Sequence, residues 1–100
     1  MADKFDRTSI YDAIEKERNY QVNKWGNKAD VEINRPMDWV GYIANHSTRW
    51  FNGGFAPYTN EELDNFRTSM LKVATLAVAA IEATDVIQRG DVARPDVLKG

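Results

Sequence analysis

Twelve residues constrain this chain more than any others: Met70-Leu-Lys-Val-Ala-Thr-Leu-Ala-Val-Ala-Ala-Ile81, in which only Lys72 is charged. Leu63, Phe66, Met70, Val73, Ala74, Ala77, Val78, Ile81 and Thr84 recur at three- and four-residue steps. That spacing lays them along one side of an α-helix. Leu76 and Ala80 fall off the stripe, so the apolar surface is wider than a single packed face needs. A helix apolar over most of its circumference is buried from more than one side. In a chain of 100 residues the extra cover is expected from a second copy, in a homodimer built on the Leu63–Ile81 face together with Leu76.

The ends of this helix are marked. Thr59-Asn-Glu-Glu62 reads as a capping box, in which the threonine hydroxyl accepts from the backbone three residues on and Glu62 reaches back. Glu61, Glu62 and Asp64 sit where the positive end of the helix dipole favours acids. Arg89-Gly90 closes the far end with a cation and a residue that tolerates left-handed backbone. A helix over 60–88 is about 45 Å long at roughly 1.5 Å per residue.

At this length one domain is expected, spanning 1–100, and oligomerisation would help it bury a sufficient core. With 43% hydrophobic and 28% charged residues, the balance is that of a folded rather than a disordered chain. A net charge of −2 argues against general nucleic-acid binding, which needs a basic face. Without cysteine there are neither disulfides nor thiolate metal sites. Met-Ala-Asp-Lys-Phe-Asp-Arg at the start lacks the apolar core of a signal peptide, and Val73–Ile81 is too short to span a bilayer. The expectation is a cytoplasmic protein with no membrane contact.

Read in order, residues 1–8 are polar and expected to be flexible. Ser9-Ile-Tyr-Asp12 reads as a second capping box, predicting a helix near 10–25 that Gly26 stops. Ile10, Ala13, Ile14, Glu17, Gln21 and Trp25 share one side of it, so two polar residues interrupt an apolar stripe. Either they are hydrogen-bonded core residues at a wetter end of the bundle, or they face a site, since a buried carboxylate is costly unless paired. Asn27 to Arg35 is a polar connection in which Val31 and Ile33 alternate. Pro36 suits the first turn of a helix over 37–51, with Trp39, Ile43, His46 and Trp50 on its inner side. His46, the single histidine, reads as a satisfied core residue or as a ligand contact; a conventional zinc site lacks its other ligands. Asn52-Gly-Gly-Phe-Ala-Pro-Tyr58 predicts an ordered loop pinned by Phe55 and Tyr58. A phosphate cradle there lacks the lysine and the strand–helix context. A non-helical tail is expected over 89–100.

Glu17-Arg18, Gln21, Lys24-Trp25-Gly26, Trp39 opening a second helix, and Leu71-Lys-Val-Ala-Thr-Leu-Ala-Val-Ala-Ala-Ile-Glu82 together resemble the MazG-like all-α nucleoside triphosphate pyrophosphohydrolases, especially small versions encoded by bacteriophages. The resemblance covers about residues 10–85. It implies an all-α, three-helix bundle completed by dimerisation, a nucleotide ligand and, in a phage-encoded protein, the host cytoplasm. In active members, a Glu-Glu-x-x-Glu motif on one helix and a Glu-x-x-Asp motif on the next hold Mg²⁺. Carboxylates at such spacing share a helix face and can hold hard cations that bridge phosphate oxygens and activate water.

Here the positions corresponding to those acids fall on Asn45, His46 and Arg49, then on Ser69 and Lys72, so the resemblance implies a metal face that has lost its acids. The expectation is therefore a catalytically degenerate protein with no catalytic residue, metal or cofactor, acting by binding a nucleotide or a protein partner. Its candidate ligand-binding residues are Glu17, Gln21, Lys24, Trp25, His46, Arg49 and Lys72, with Glu17 in a charge pair with Arg49 across the cleft. The alternative is a divergent Mg²⁺-dependent pyrophosphohydrolase using Glu17, Glu82 and Asp85.

Overall fold

The computed structural model describes residues 4–26, 34–50 and 59–91. Among them are three α-helices and no strand: α1 (Arg7–Trp25), α2 (Pro36–Ser47), extended by a 3-10 turn at Thr48–Trp50, and α3 (Asn60–Gln88). α1 and α2 each pack along α3 and much less against one another. The predicted extended piece at Val31–Ile33, the loop at 52–58 and the tail from 92 onward lie outside the described residues.

Local chemistry sets the helix ends. α1 begins three residues before the predicted start because Asp6, rather than Ser9, is its N-cap. The Asp6 carboxylate accepts from the Ser9 backbone N–H at 3.1 Å and from the Ser9 hydroxyl at 2.7 Å. Both residue types cap well, but here the upstream acid takes the role and Ser9 becomes its donor. Arg7 and Thr8, expected to be flexible, are thus the first helical residues. These two bonds hold the Asp6 carboxyl below its ordinary range, the hydroxyl contributing most. Gly26, at φ 77°, ends α1 with its N–H donating to Val22 O at 2.7 Å.

α2 opens on Pro36, and Asp38 Oδ2 accepts from the Arg35 backbone N–H at 2.8 Å. That bond leads the causes that lower the Asp38 carboxyl. Regular α-helix stops at Ser47, short of the predicted 51. In α3 the capping box forms as read: Glu62 N–H donates to Thr59 Oγ1 at 3.0 Å, and Thr59 N–H donates to Glu62 Oε1 at 3.1 Å. At the far end Asp91 N–H donates to Val86 O and Gly90 N–H to Ile87 O, each at 3.0 Å. With Gly90 at φ 81°, this is a Schellman closure.

On α3 the intrachain contact departs from the expectation at one residue, Leu76. The buried residues of this helix are Ser69, Thr75, Ala79 and Ala83, and Leu76 and Ala80 pack against the core formed by Trp39, Ala79 and Ala83. Those positions lie opposite the Leu63–Ile81 stripe, whose Leu63, Phe66 and Ile81 stay exposed. The small side chains of Ala79 and Ala83 admit the bulk of Trp39, which larger residues of the stripe would hold off. Leu76, assigned above to a dimer face, is therefore committed within the chain.

Candidate functional site

Where α1 and α2 diverge over α3, they leave a cleft of about 500 Å³. α1 contributes Glu17, Arg18, Gln21 and Trp25; α2 and the residues before it contribute Asn34, Trp39, Tyr42, Asn45 and His46; α3 supplies Lys72, Leu76 and Ala79 as the floor. On α1 the lining side chains recur at three- and four-residue steps, which places them on one helix face.

Charge in the cleft is paired across the helices. Lys72 Nζ donates to Glu17 Oε2 at 2.7 Å, with the two side chains 39% and 20% exposed. Arg18 Nε donates to Glu82 Oε1 at 2.6 Å; the arginine side chain is 10% exposed and the glutamate 56%. Around these pairs are uncharged donors and acceptors: the Gln21, Asn34 and Asn45 amides, the Tyr42 hydroxyl and His46. Tyr42 OH donates to Asn34 Oδ1 at 2.9 Å. Trp39 and Tyr42 meet edge to face, 6.0 Å between ring centroids, forming a rigid aromatic wall.

Five of the seven predicted site residues, Glu17, Gln21, Trp25, His46 and Lys72, line this one cleft. The other two do not. Lys24 turns its ammonium over the Trp25 ring at 4.8 Å and over Tyr20 at 5.6 Å, on an exposed part of α1. Arg49 sits beside the Trp50 ring at 5.9 Å, beyond the regular end of α2. The expected Glu17–Arg49 pair is replaced by Glu17–Lys72, because Lys72 rises from the helix on which α1 packs.

Arg18, Asn34, Trp39 and Tyr42 were not among the predicted site residues. Arg18 had a signal: it lies four residues after Ile14, three before Gln21 and four before Val22, which places a cation at the centre of a packed face. For Asn34 and Tyr42 the sequence carries no such signal, since their hydrogen bond depends on how the chain enters α2.

The acids of the alternative Mg²⁺ reading are dispersed. Glu17 faces Lys72, Glu82 faces Arg18, and Asp85 is exposed. Among the described residues, no three His, Asp or Glu side chains gather in a way that could hold a metal ion. Nor is any helix among them long and apolar enough to cross a membrane. Compared with known protein families, curated proteins and solved structures, the chain matches none of them.

Proposed function

We propose that this chain is a catalytically degenerate MazG-like protein that binds a nucleotide in the α1–α2–α3 cleft without a metal ion and works as a homodimer in the cytoplasm, the host's if it is phage-encoded. One observation supports the reading: five of the seven residues that the resemblance to a nucleotide-handling family points to line a single cleft of about 500 Å³, a volume suited to a small ligand. A planar base can lie against the aromatic wall, with its edge toward the amides of Gln21, Asn34 and Asn45, each of which both donates and accepts. Lys72, with 39% of its side chain exposed, can exchange Glu17 for a phosphate oxygen in a charge-assisted hydrogen bond.

A thermal-shift series of nucleoside mono-, di- and triphosphates, with and without Mg²⁺, tests this. A ligand that binds only the folded state stabilises it by about 2.7 kcal/mol at a hundred times its dissociation constant. The expected result is a shift with at least one nucleotide that Mg²⁺ does not enhance and that Lys72→Met weakens. A shift that requires Mg²⁺, together with pyrophosphate release lost in Glu17→Ala, would overturn the metal-free reading. No shift with any nucleotide would remove the nucleotide and leave a protein partner for the same cleft.

A further inference from the structure

We infer that a second copy docks antiparallel on the outer face of α3, with Arg67 of each subunit against Asp85 of the other. The inference rests on the homodimer reading and adds its direction and register.

The face lies opposite the intrachain core, apart from Phe66, which meets the Trp50 ring edge to face at 5.3 Å, and carries no charge along Leu63, Phe66, Met70, Val73, Ala77 and Ile81. Beside its C-terminal half runs an apolar groove of about 460 Å³ between α2 and α3, lined in part by Val40, Ile43, Ala77, Ile81 and Thr84. Val40 is 65% and Ile81 60% exposed. In a twofold contact the same patch meets itself. An uncharged strip permits that contact without like-charge repulsion, so the charges at its margins fix the direction.

Three of the seven charges on α3 are already engaged, and two more, Glu61 and Asp64, lie in its first two turns. Lys72 holds Glu17, Glu82 holds Arg18, and Glu62 closes the capping box. Arg67, the other cation of α3, and Asp85 are exposed and have no side-chain hydrogen bond or ion pair among the described residues. They lie about five turns apart at roughly 3.6 residues per turn, and so on the same margin of the strip. A parallel copy would set Arg67 against Arg67 and Asp85 against Asp85. An antiparallel copy with its twofold axis level with Leu76 sets Arg67 against Asp85 twice. That register also brings Met70 of the partner subunit level with Glu82, over the apolar groove.

Sedimentation over a concentration series tests the inference, using wild type, Arg67→Glu, Asp85→Arg and the double variant. Both residues are exposed, so each variant should keep its helices, which circular dichroism checks. The wild type should sediment as a dimer. Each single reversal should raise the dissociation constant by roughly tenfold, because twofold symmetry converts both pairs to repulsions. The double variant should recover wild-type affinity. A wild type that stays monomeric into the hundred-micromolar range would overturn the dimer and this inference together. A dimer indifferent to the reversals, or not restored in the double variant, would overturn the register alone and leave the dimer standing.

Discussion

Toward α1 and α2, α3 presents Ser69, Lys72, Thr75, Ala79 and Ala83; away from them it presents Leu63, Phe66, Met70, Val73 and Ile81. The inner side is small and polar and holds the buried residues, whereas the outer side is large and apolar, with Leu63, Phe66 and Ile81 exposed and Met70 and Val73 half-buried. A self-sufficient bundle distributes its side chains the other way, because burying a large aliphatic or aromatic side chain contributes about 1.5–3 kcal/mol and an alanine far less. The inner side of α3 thus contributes shape: closeness to Trp39, the floor of the cleft and its paired charges. Much of the large apolar surface of α3 lies on the side that the single chain covers least.

The sharpest way to break this contrast is to attack the one large residue that the inner side does bury. Trp39→Ala should cost about 3–5 kcal/mol, read as a lower urea midpoint with unchanged slope; a loss below 1 kcal/mol would mean that the inner side contributes little beyond geometry. Next comes the outer side. Ile81→Asp should leave stability within about 0.5 kcal/mol at high dilution, like other exposed substitutions. At high concentration it should abolish a melting temperature that rises with protein concentration in the wild type. A wild-type melting temperature independent of concentration would count against a constitutive partner on that face.

The paired charges come third. With Lys72 able to swing into water, Glu17→Leu should change stability by less than about 1 kcal/mol while weakening ligand binding. A larger loss that Glu17→Leu with Lys72→Met restores would identify a structural pair instead of a site. The smallest effect belongs to the start of α1. The Asp6 carboxyl is lowered in the folded chain, so its contribution is present above its ordinary value of 3.8 and disappears as pH falls through the lowered folded value. A carbon-detected titration of Asp6 should show that lowered midpoint, together with fraying of the first turn of α1 in acid, and Asp6→Ala should fray the same turn at neutral pH.

Much of the architecture was legible because it is written locally. Thr59 and Glu62 cap each other, Gly26 and Gly90 adopt the left-handed backbone that stops a helix, and Pro36 opens one; each signal depends on a few neighbouring residues. The orientation of α3 was legible only in part. Periodicity separates the two sides of a helix, but it does not say which side meets the same chain. The stripe assigned to a second copy lies outside the intrachain core, but Leu76, assigned with it, packs inside, where Trp39 fits against alanine. In the cleft, spacing found Glu17 and Gln21, and Ile14-to-Val22 spacing carried the missed Arg18. The partner of Glu17 depended on which residues of α3 come beneath α1, a tertiary fact with no local trace.

Thr75, the most deeply enclosed side chain, donates its hydroxyl to Leu71 O of its own helix at 2.8 Å and so ties nothing across the bundle. Among the described residues, two ion pairs join α1 to α3 in addition to its packed face, whereas α2 rests on α3 through Trp39 and its apolar neighbours. Charge thus helps to fasten the α1 wall of the cleft and, among the described residues, not the α2 wall. Dissolved salt weakens partly exposed charge pairs and leaves apolar contacts nearly untouched. Ionic strength should therefore act on the α1 ion pairs more than on the α2 contact at Trp39 and, of the two pairs, less on the one that holds the nearly buried guanidinium of Arg18.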